Sequence, residues 1–536
     1  MFGLTAQAQT VGGRTEVFPG SELEEYARYA QTLGQSPLYP WTLRPFSAGQ
    51  LDRILRISGD HPWKNRYDFG PRRSDVSIDV VRPTFTLRYN TAFPYGSNDG
   101  PVWAGRGLTA AFQVGFAMRV GPISLTLAPE FFSAQNKAFP LLPNGDTTRL
   151  RFADGQFKNV IDRPQRFGDG AYTVLDPGQS TLRIDLFGLG AGISTANETW
   201  GPADNYAYIL STNAPGVPRA FFGTSQPLNL YLFRLHSLIE WGILSQSHYS
   251  PVGGSRYIQS TQQPGTRRFM SGIIASIQPR GMDGLEVGAA RFYHIGWPRG
   301  GPQWSDFRRP LEAIFKNNLR PEPPLPGTNQ VVAVRENQLA SLFARWVVPG
   351  AGFEVYGEFG REDHSADTRD FLAEPDHGGA SRMFGLRKMW RSGYALRAEG
   401  INFEAPPIKQ VRSEGSVYLH SILRQGHTER GQVLGADVGV GSGAGSTVAV
   451  DRYSAKGRTT AFWSRTIGHE IGTYYLTGAD VSAKSDVVHS LGVDALRFVG
   501  PVDLTMKGVL SANLNRNFQG DAYNLNVQLG ARFSSW

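Results

Sequence analysis

From about residue 75 onward, apolar and polar positions alternate with a period of two. Leu108, Ala110, Phe112, Val114, Phe116, Met118 and Val120 alternate with Thr109, Gln113, Gly115 and Arg119. A Gly121-Pro122 turn follows, and Ile123, Leu125 and Leu127 resume the pattern. The same alternation runs through Val502 to Asn515 and through Tyr523 to Phe533. Successive side chains of a strand point to opposite faces, so each run predicts a strand with one apolar and one polar face. Many runs reach ten or more residues, against roughly 5–6 in an average globular strand. A strand crossing a bilayer needs about 9–11, with apolar residues toward lipid and polar ones toward a lumen. Roughly eighteen such runs are present, joined by short turns such as Val348 to Gly352 on one rim and longer irregular loops on the other. The pattern predicts an all-β transmembrane barrel of about eighteen antiparallel strands over residues 71–536. A propeller would show a repeat of about 40–50 residues, which is missing, and sandwich strands are usually shorter.

The first part of the chain has a different period. Ser21 and Glu24 form a capping-box pattern ahead of Leu23, Tyr26, Ala27, Ala30 and Leu33, with Gly34 as a stop. Ser47 and Gln50 repeat it ahead of Leu51, Ile54 and Leu55, with an end near Ser58-Gly59. Residues 21–70 therefore read as a small helical unit whose apolar faces must rest on something larger. Residues 1–20 read as a tail in which Ala6-Gln7-Ala8 resembles the end of a secretory signal.

Composition narrows the chemistry. The 536 residues contain no Cys, so thiol chemistry and thiolate metal sites are excluded. Lys+Arg 54 against Asp+Glu 46 gives +8, spread along the chain and not in blocks, which argues against nucleic acid and is compatible with an acidic polymer. Enzyme motifs fail. His469-Glu470 lacks a second His at zinc-protease spacing, and Gly439 to Thr447 lacks the Lys of a phosphate loop, so it reads as a rim or a close backbone approach. Glu362 and Asp363 are adjacent and would point to opposite faces of a strand. No metal, cofactor or catalytic residue is expected.

Between Thr181–Gly192 and Leu228–Arg234, each read as a strand, lies the irregular segment Ser194 to Arg219. It concentrates Asn197, Glu198, Trp200, Asn205, Tyr206, Tyr208, Asn213 and Arg219 among Gly and Pro. Its Asn197-Glu198-Thr199-Trp200-Gly201-Pro202 stretch and Ile209 to Pro215 resemble the signature of the Wzi-type capsule assembly family, with departures at Ala203 and Thr212. Asn337 to Ser341, Arg345-Trp346 and Tyr356 to Phe359 match as well, as do His420, Arg424 to Thr428 and Gly431 to Gly435. The C-terminal Gln528, Gly530 and Phe533 resemble the insertion signal of outer-membrane barrels, with Trp536 one residue late.

The resemblance implies an outer-membrane barrel with a helical unit at the periplasmic end. It further implies a lectin-like, non-enzymatic role in binding or organising capsular or other surface polysaccharide, with outer-membrane lipid around the wall. Aromatic faces suit sugar rings, amides and carboxylates suit hydroxyls, and Arg suits acidic sugars. The candidate carbohydrate-binding residues are therefore Asn197, Glu198, Trp200, Asn205, Tyr206, Asn213 and Arg219, with Tyr418, His420, Arg424 and Gln425 from the second loop region. Each could equally serve as a rim or plug contact. The rival reading is a sugar-selective channel, decided by whether Ser194–Arg219 and the helices obstruct the lumen.

Overall fold

The structure, a computed structural model, describes residues 17–67, 69, 76–252, 266–298, 300–311, 336–362, 368–373, 379–403, 417–469 and 485–533. The expectations for residues 1–16, Asp363, Glu470 and Trp536 lie outside them. The alternating runs form one closed antiparallel barrel of 18 strands. It closes where the first strand, Val76–Asn90, pairs with the last, Gly520–Phe533, from Thr84↔Arg532 to Asn90↔Asn526. From Phe233–Leu244 onward the strands are unbroken and run from 9 to 15 residues. Two neighbouring strands are interrupted instead, Ile123–Leu127 from Glu130–Ala134 and Tyr172–Asp176 from Thr181–Leu186, and Ala128 bridges Gly178 across the gaps.

The outward face is the apolar one. Ile78, Phe85, Phe112, Phe116, Leu491, Val493 and Leu510 are exposed. Trp346, Trp390, Tyr394 and Phe533 lie near the short-turn rim and Tyr89 and Tyr523 near the long-loop rim, the two aromatic girdles of a membrane barrel. No helix among the described residues is long and apolar enough to cross a membrane, and the crossing is made by strands.

Two local readings are corrected. Thr181–Gly192 is a hairpin, not one strand: Thr181–Leu186 pairs with Leu189–Ser194 around Phe187-Gly188, both with positive φ (54° and 82°). A two-residue hairpin loop demands that conformation, and Phe in the first place hides it from a search for Asn-Gly or Asp-Gly. The strand after the central segment starts at Arg219–Thr224, with Leu228–Asn229 and Phe233–Leu244 following.

Helices α1 (Glu22–Thr32) and α2 (Ala48–Ile54) form where the capping residues place them. The α2 box is complete, while at α1 the Glu24 carboxylate accepts from the Gly20 amide at 2.6 Å instead of closing the box on Ser21. Helix α2 stops at Ile54, short of Ser58. Tyr26, Tyr29, Trp41 and Trp63 pack with Met389, Ala395, Tyr453 and Leu496, which lie on the inner wall near the short turns. The helical unit thus sits in the turn end of the barrel. Arg28, with no exposed surface, reaches past that apolar contact. It donates to Glu354 of strand Phe353–Glu362 (2.5 and 3.0 Å), to Asp204 of the central segment (2.6 Å) and to the Pro202 carbonyl (2.8 Å). Arg345 also holds Glu354 (2.7 Å), and Arg387 pairs with Asp204 and with Glu25 of α1.

Removing one member of a buried charged set costs about 3–5 kcal/mol, because its partners stay buried without compensation. Arg28→Met is expected to free the helical unit while the barrel stays closed. Limited proteolysis should then cut within residues 17–69 of a protein that still migrates as folded in unboiled detergent gels. Wild-type protease resistance would show that the apolar contact alone holds the unit.

Candidate functional site

Ser194 and Arg219 are direct register partners in the wall, and the segment between them drops into the lumen and returns. At its turn, Thr199–Trp200 pairs with Leu43–Arg44 of the helical unit. Glu399, pointing inward from strand Tyr394–Asn402, accepts from three consecutive amides of the segment, Asp204 (2.7 Å), Asn205 (2.8 Å) and Tyr206 (2.7 Å), and from the Tyr356 hydroxyl (2.7 Å). Burial alone would raise the Asp204 pKa, but Arg28, Arg387 and Arg397 outweigh it and hold the carboxylate below its usual range. A second plug layer, residues 417–440, lies over the first. The Tyr418 hydroxyl donates to the Tyr208 carbonyl (2.5 Å), Ser211 donates to Leu434 and Gly435, and the His427 Nε2–H donates to the Ile209 carbonyl (2.7 Å). The glycine run serves close approach, since a Cβ on Gly445 would meet the Tyr206 ring at 2.9 Å.

The structure divides the eleven candidate residues into three groups. Asn197, Glu198, Trp200 and Arg219 form a closed knot. Arg219 bridges Glu198 (2.5 Å) and Glu240 (3.0 Å), Glu198 accepts from the Trp200 indole (3.1 Å), and Asn197 is bonded to Gln179 and Ala214. Trp200 has no exposed surface and its ring edge lies against Gly272. In the second group, Tyr418 and Gln425 are buried inside the upper plug layer. His420 is half-buried and caps the Ile422 and Leu423 amides, and Arg424, also half-buried, is in the same loop. Asn205, Tyr206 and Asn213 make up the third group, on the edge of the plug, where the buried Asn213 side chain donates to the Val433 carbonyl (3.0 Å) and accepts from the Asn98 amide (3.3 Å).

That edge faces a cleft. The central segment packs mainly against the strands from Phe221 to Asn402 and the helical unit against the turn end from Met389 round to Leu496, and two adjoining cavities of about 320 and 430 Å³ remain beside them along the strands from Ala444 to Arg516. Both are lined by Tyr95, Ser97, Arg163, Asn213, Thr466 and Arg516, and the deeper one adds Asn205, Tyr206, Thr447, Ser464, Ser490 and Lys507. The Tyr206 hydroxyl bonds Thr447 (2.7 Å), and the Asn205 side-chain amide makes no hydrogen bond among the described residues. The wall residues were missed in the sequence, although Ser464, Thr466, Ser490 and Lys507 occupy the polar phase of alternating strands. Among the described residues no group of carboxylates and histidines could hold a metal ion.

The closed wall, the apolar belt and the filled lumen define an outer-membrane β-barrel of eighteen strands. Within that class the chain has the fold of Wzi of Escherichia coli, an outer membrane protein involved in group 1 capsule assembly and a carbohydrate-binding β-barrel, at a TM-score of 0.60 and 12% identity over 97% of this chain and 99% of that one. Acinetobacter baumannii OccAB3 (TM-score 0.40, 10% identity) and Pseudomonas aeruginosa OccK8 (0.37, 10%) overlap 85% of this chain and 98% of theirs. No protein-family profile and no curated protein matches the sequence.

The upper layer carries opposed titrating groups outside the spanning strands. Burial raises Glu429 to about 7, against Arg430 and Arg268, and raises Asp162, which accepts from the Ser247 amide. Burial lowers His427 to about 3. A raised carboxyl pKa gives stability that is present below about 4.5 and lost as pH rises toward 7. The lowered His pKa gives stability that is present above 6.5 and lost as pH falls. His427→Gln keeps a donor for Ile209 and removes the opposing group. Amide protection of residues 417–440, corrected for intrinsic exchange, should then fall with rising pH between 4.5 and 7 more steeply than in the wild type. Parallel curves would remove His427 from the balance.

Proposed function

We propose that this protein binds polysaccharide at the outer face of the outer membrane without cleaving it, and that its lumen is not a solute path. The observation that carries this reading is the plugged lumen: the central segment and the helical unit are cross-linked to each other and to the wall, which leaves a polar cleft whose lining comes largely from the long-loop side. A channel would need a continuous route past the Arg458–Glu22 pair below the cleft or past Arg28, Asp204 and Glu354, where every charge is taken. The resemblance of the Asn197–Pro202 stretch to the Wzi-type signature and the shared fold point the same way, toward capsular or similar surface glycan. In this reading the helical unit lies on the periplasmic side, where membrane barrels keep their short turns.

The glycan contacts fall to Asn205, Tyr206 and Asn213 on the cleft edge. Asn197, Glu198, Trp200, Arg219, Tyr418, His420, Arg424 and Gln425 hold the frame that presents them. Asn205→Ala is therefore expected to weaken binding of polysaccharide from the producing cells several-fold with unchanged folding, since losing a hydrogen bond is worth about 0.5–1.5 kcal/mol. Trp200→Ala, by contrast, should lower the temperature at which the folded barrel is lost, an aromatic-to-Ala core change costing about 3–5 kcal/mol. In planar bilayers the wild type should show no nanosiemens steps. Such steps, or a wild type that binds no polysaccharide, would return the channel reading.

A further inference from the structure

Most charges around the cleft cancel one another. Arg163 bridges Asp437 (2.9 Å) and Asp154 (3.4 Å), Arg397 grips Asp451 (2.7 Å), and Arg458 holds Glu22 (2.7 Å) beside Asp494 (3.6 Å). Two lining cations, Lys507 and Arg516, make no ion pair and no side-chain hydrogen bond among the described residues. Each rests instead on an aromatic ring: Lys507 Nζ lies 5.4 Å from the Phe462 centroid, and the Arg516 guanidinium lies 4.3 Å from Phe93 and 5.9 Å from Phe139. Asp486, at the same mouth, accepts from the Asn517 amide (2.9 Å) and does not pair with Arg516.

The backbone aims Arg516 into the lumen. In Val502–Arg516 the odd-numbered Asp503, Val509, Ser511 and Asn513 are buried inward and the even-numbered Met506, Leu510 and Leu514 face outward. A register shift between Asn513 and Arg516, with Asn515 at φ 54°, reverses the phase and turns Arg516 to the cleft. Bulges re-aim side chains in this way. The two cations are nine positions apart on one strand, at most roughly 30 Å, more than a single sugar spans.

We propose that the cleft takes a segment of an acidic polysaccharide, with Arg516 at the mouth and Lys507 in the depth as two separated carboxylate subsites. The proposal rests on the polysaccharide-binding reading above. Stacking on Phe93 occupies the face of the Arg516 guanidinium and leaves its in-plane N–H donors for a bidentate carboxylate. The neighbouring Phe rings supply apolar surface for the C–H faces of the sugars. Asp494, across the ladder from Lys507, lies beside Arg458, and Asp486 near Arg516 accepts from Asn517, so an acidic glycan would add the direct ion pair that neither cation makes among the described residues.

The test uses the detergent-purified full chain and polysaccharide extracted from the producing cells, native and after chemical reduction of its carboxylates, with fragments of graded length. Native polymer should bind in a salt-sensitive way, and reduced polymer about tenfold or more weakly. Arg516→Gln should weaken native polymer by a similar factor. Lys507→Gln should weaken only fragments long enough to reach both cations, and neither change should alter folded migration on unboiled gels. Equal binding of native and reduced polymer, or unchanged binding by both variants, would overturn the acidic subsites and leave polysaccharide binding standing. Absence of binding to either polymer would overturn both.

Discussion

Arg28 touches no solvent and joins two carboxylates from different parts of the molecule, Asp204 of the inserted segment and Glu354 of the wall. The rest of the interior depends on this contact. A membrane barrel spends its apolar face on lipid, so the surface it offers to a plug alternates with polar groups and cannot be covered by hydrophobic packing alone. Whatever fills the lumen must match those groups one by one. Taking charges out of water is expensive, and their attraction compensates only in good geometry. Such a lattice therefore contributes less to total stability than to fixing one pose among many. Helix, segment and wall are aligned because few other arrangements leave each carboxylate with its arginine.

The apolar contacts then sort themselves around that lattice. One cluster gathers the helical unit against the turn end, and another gathers Trp200, Tyr208, Phe292 and Tyr418 in the body of the plug. The first leans on the wall from Met389 round to Leu496, the second on the wall from Phe221 to Ile401. The cleft is what remains, and within its polar lining the Tyr206–Thr447 bond ties the plug to the wall. In the proposed reading, binding surface and structural frame share a single lumen.

Much of this is legible in the amino-acid sequence. The two-residue alternation showed strand number, membrane class and the inward phase, because a single face of each strand meets lipid. The singular composition of Ser194–Arg219 marked it as special. Its placement was hidden, since an amide or an indole that recognises a sugar has the same chemistry as one that packs a plug. Only Gly272 on a distant strand, open to the Trp200 ring, reveals which use applies. Arg516 was invisible for another reason: strict alternation assigns it to lipid, and only a backbone irregularity reverses that. The Phe187-Gly188 turn escaped because its left-handed conformation is carried by a residue that rarely adopts it.

The central segment leaves the wall at Ser194 and rejoins it at Arg219, and those residues are neighbours in the same ladder. The helical unit likewise enters as a branch ahead of the first strand. Neither filling interrupts the circuit of strand pairs, so the wall can close with its contents still outside. The topology therefore permits two separable problems, zipping a ring in the bilayer and loading it from its two mouths.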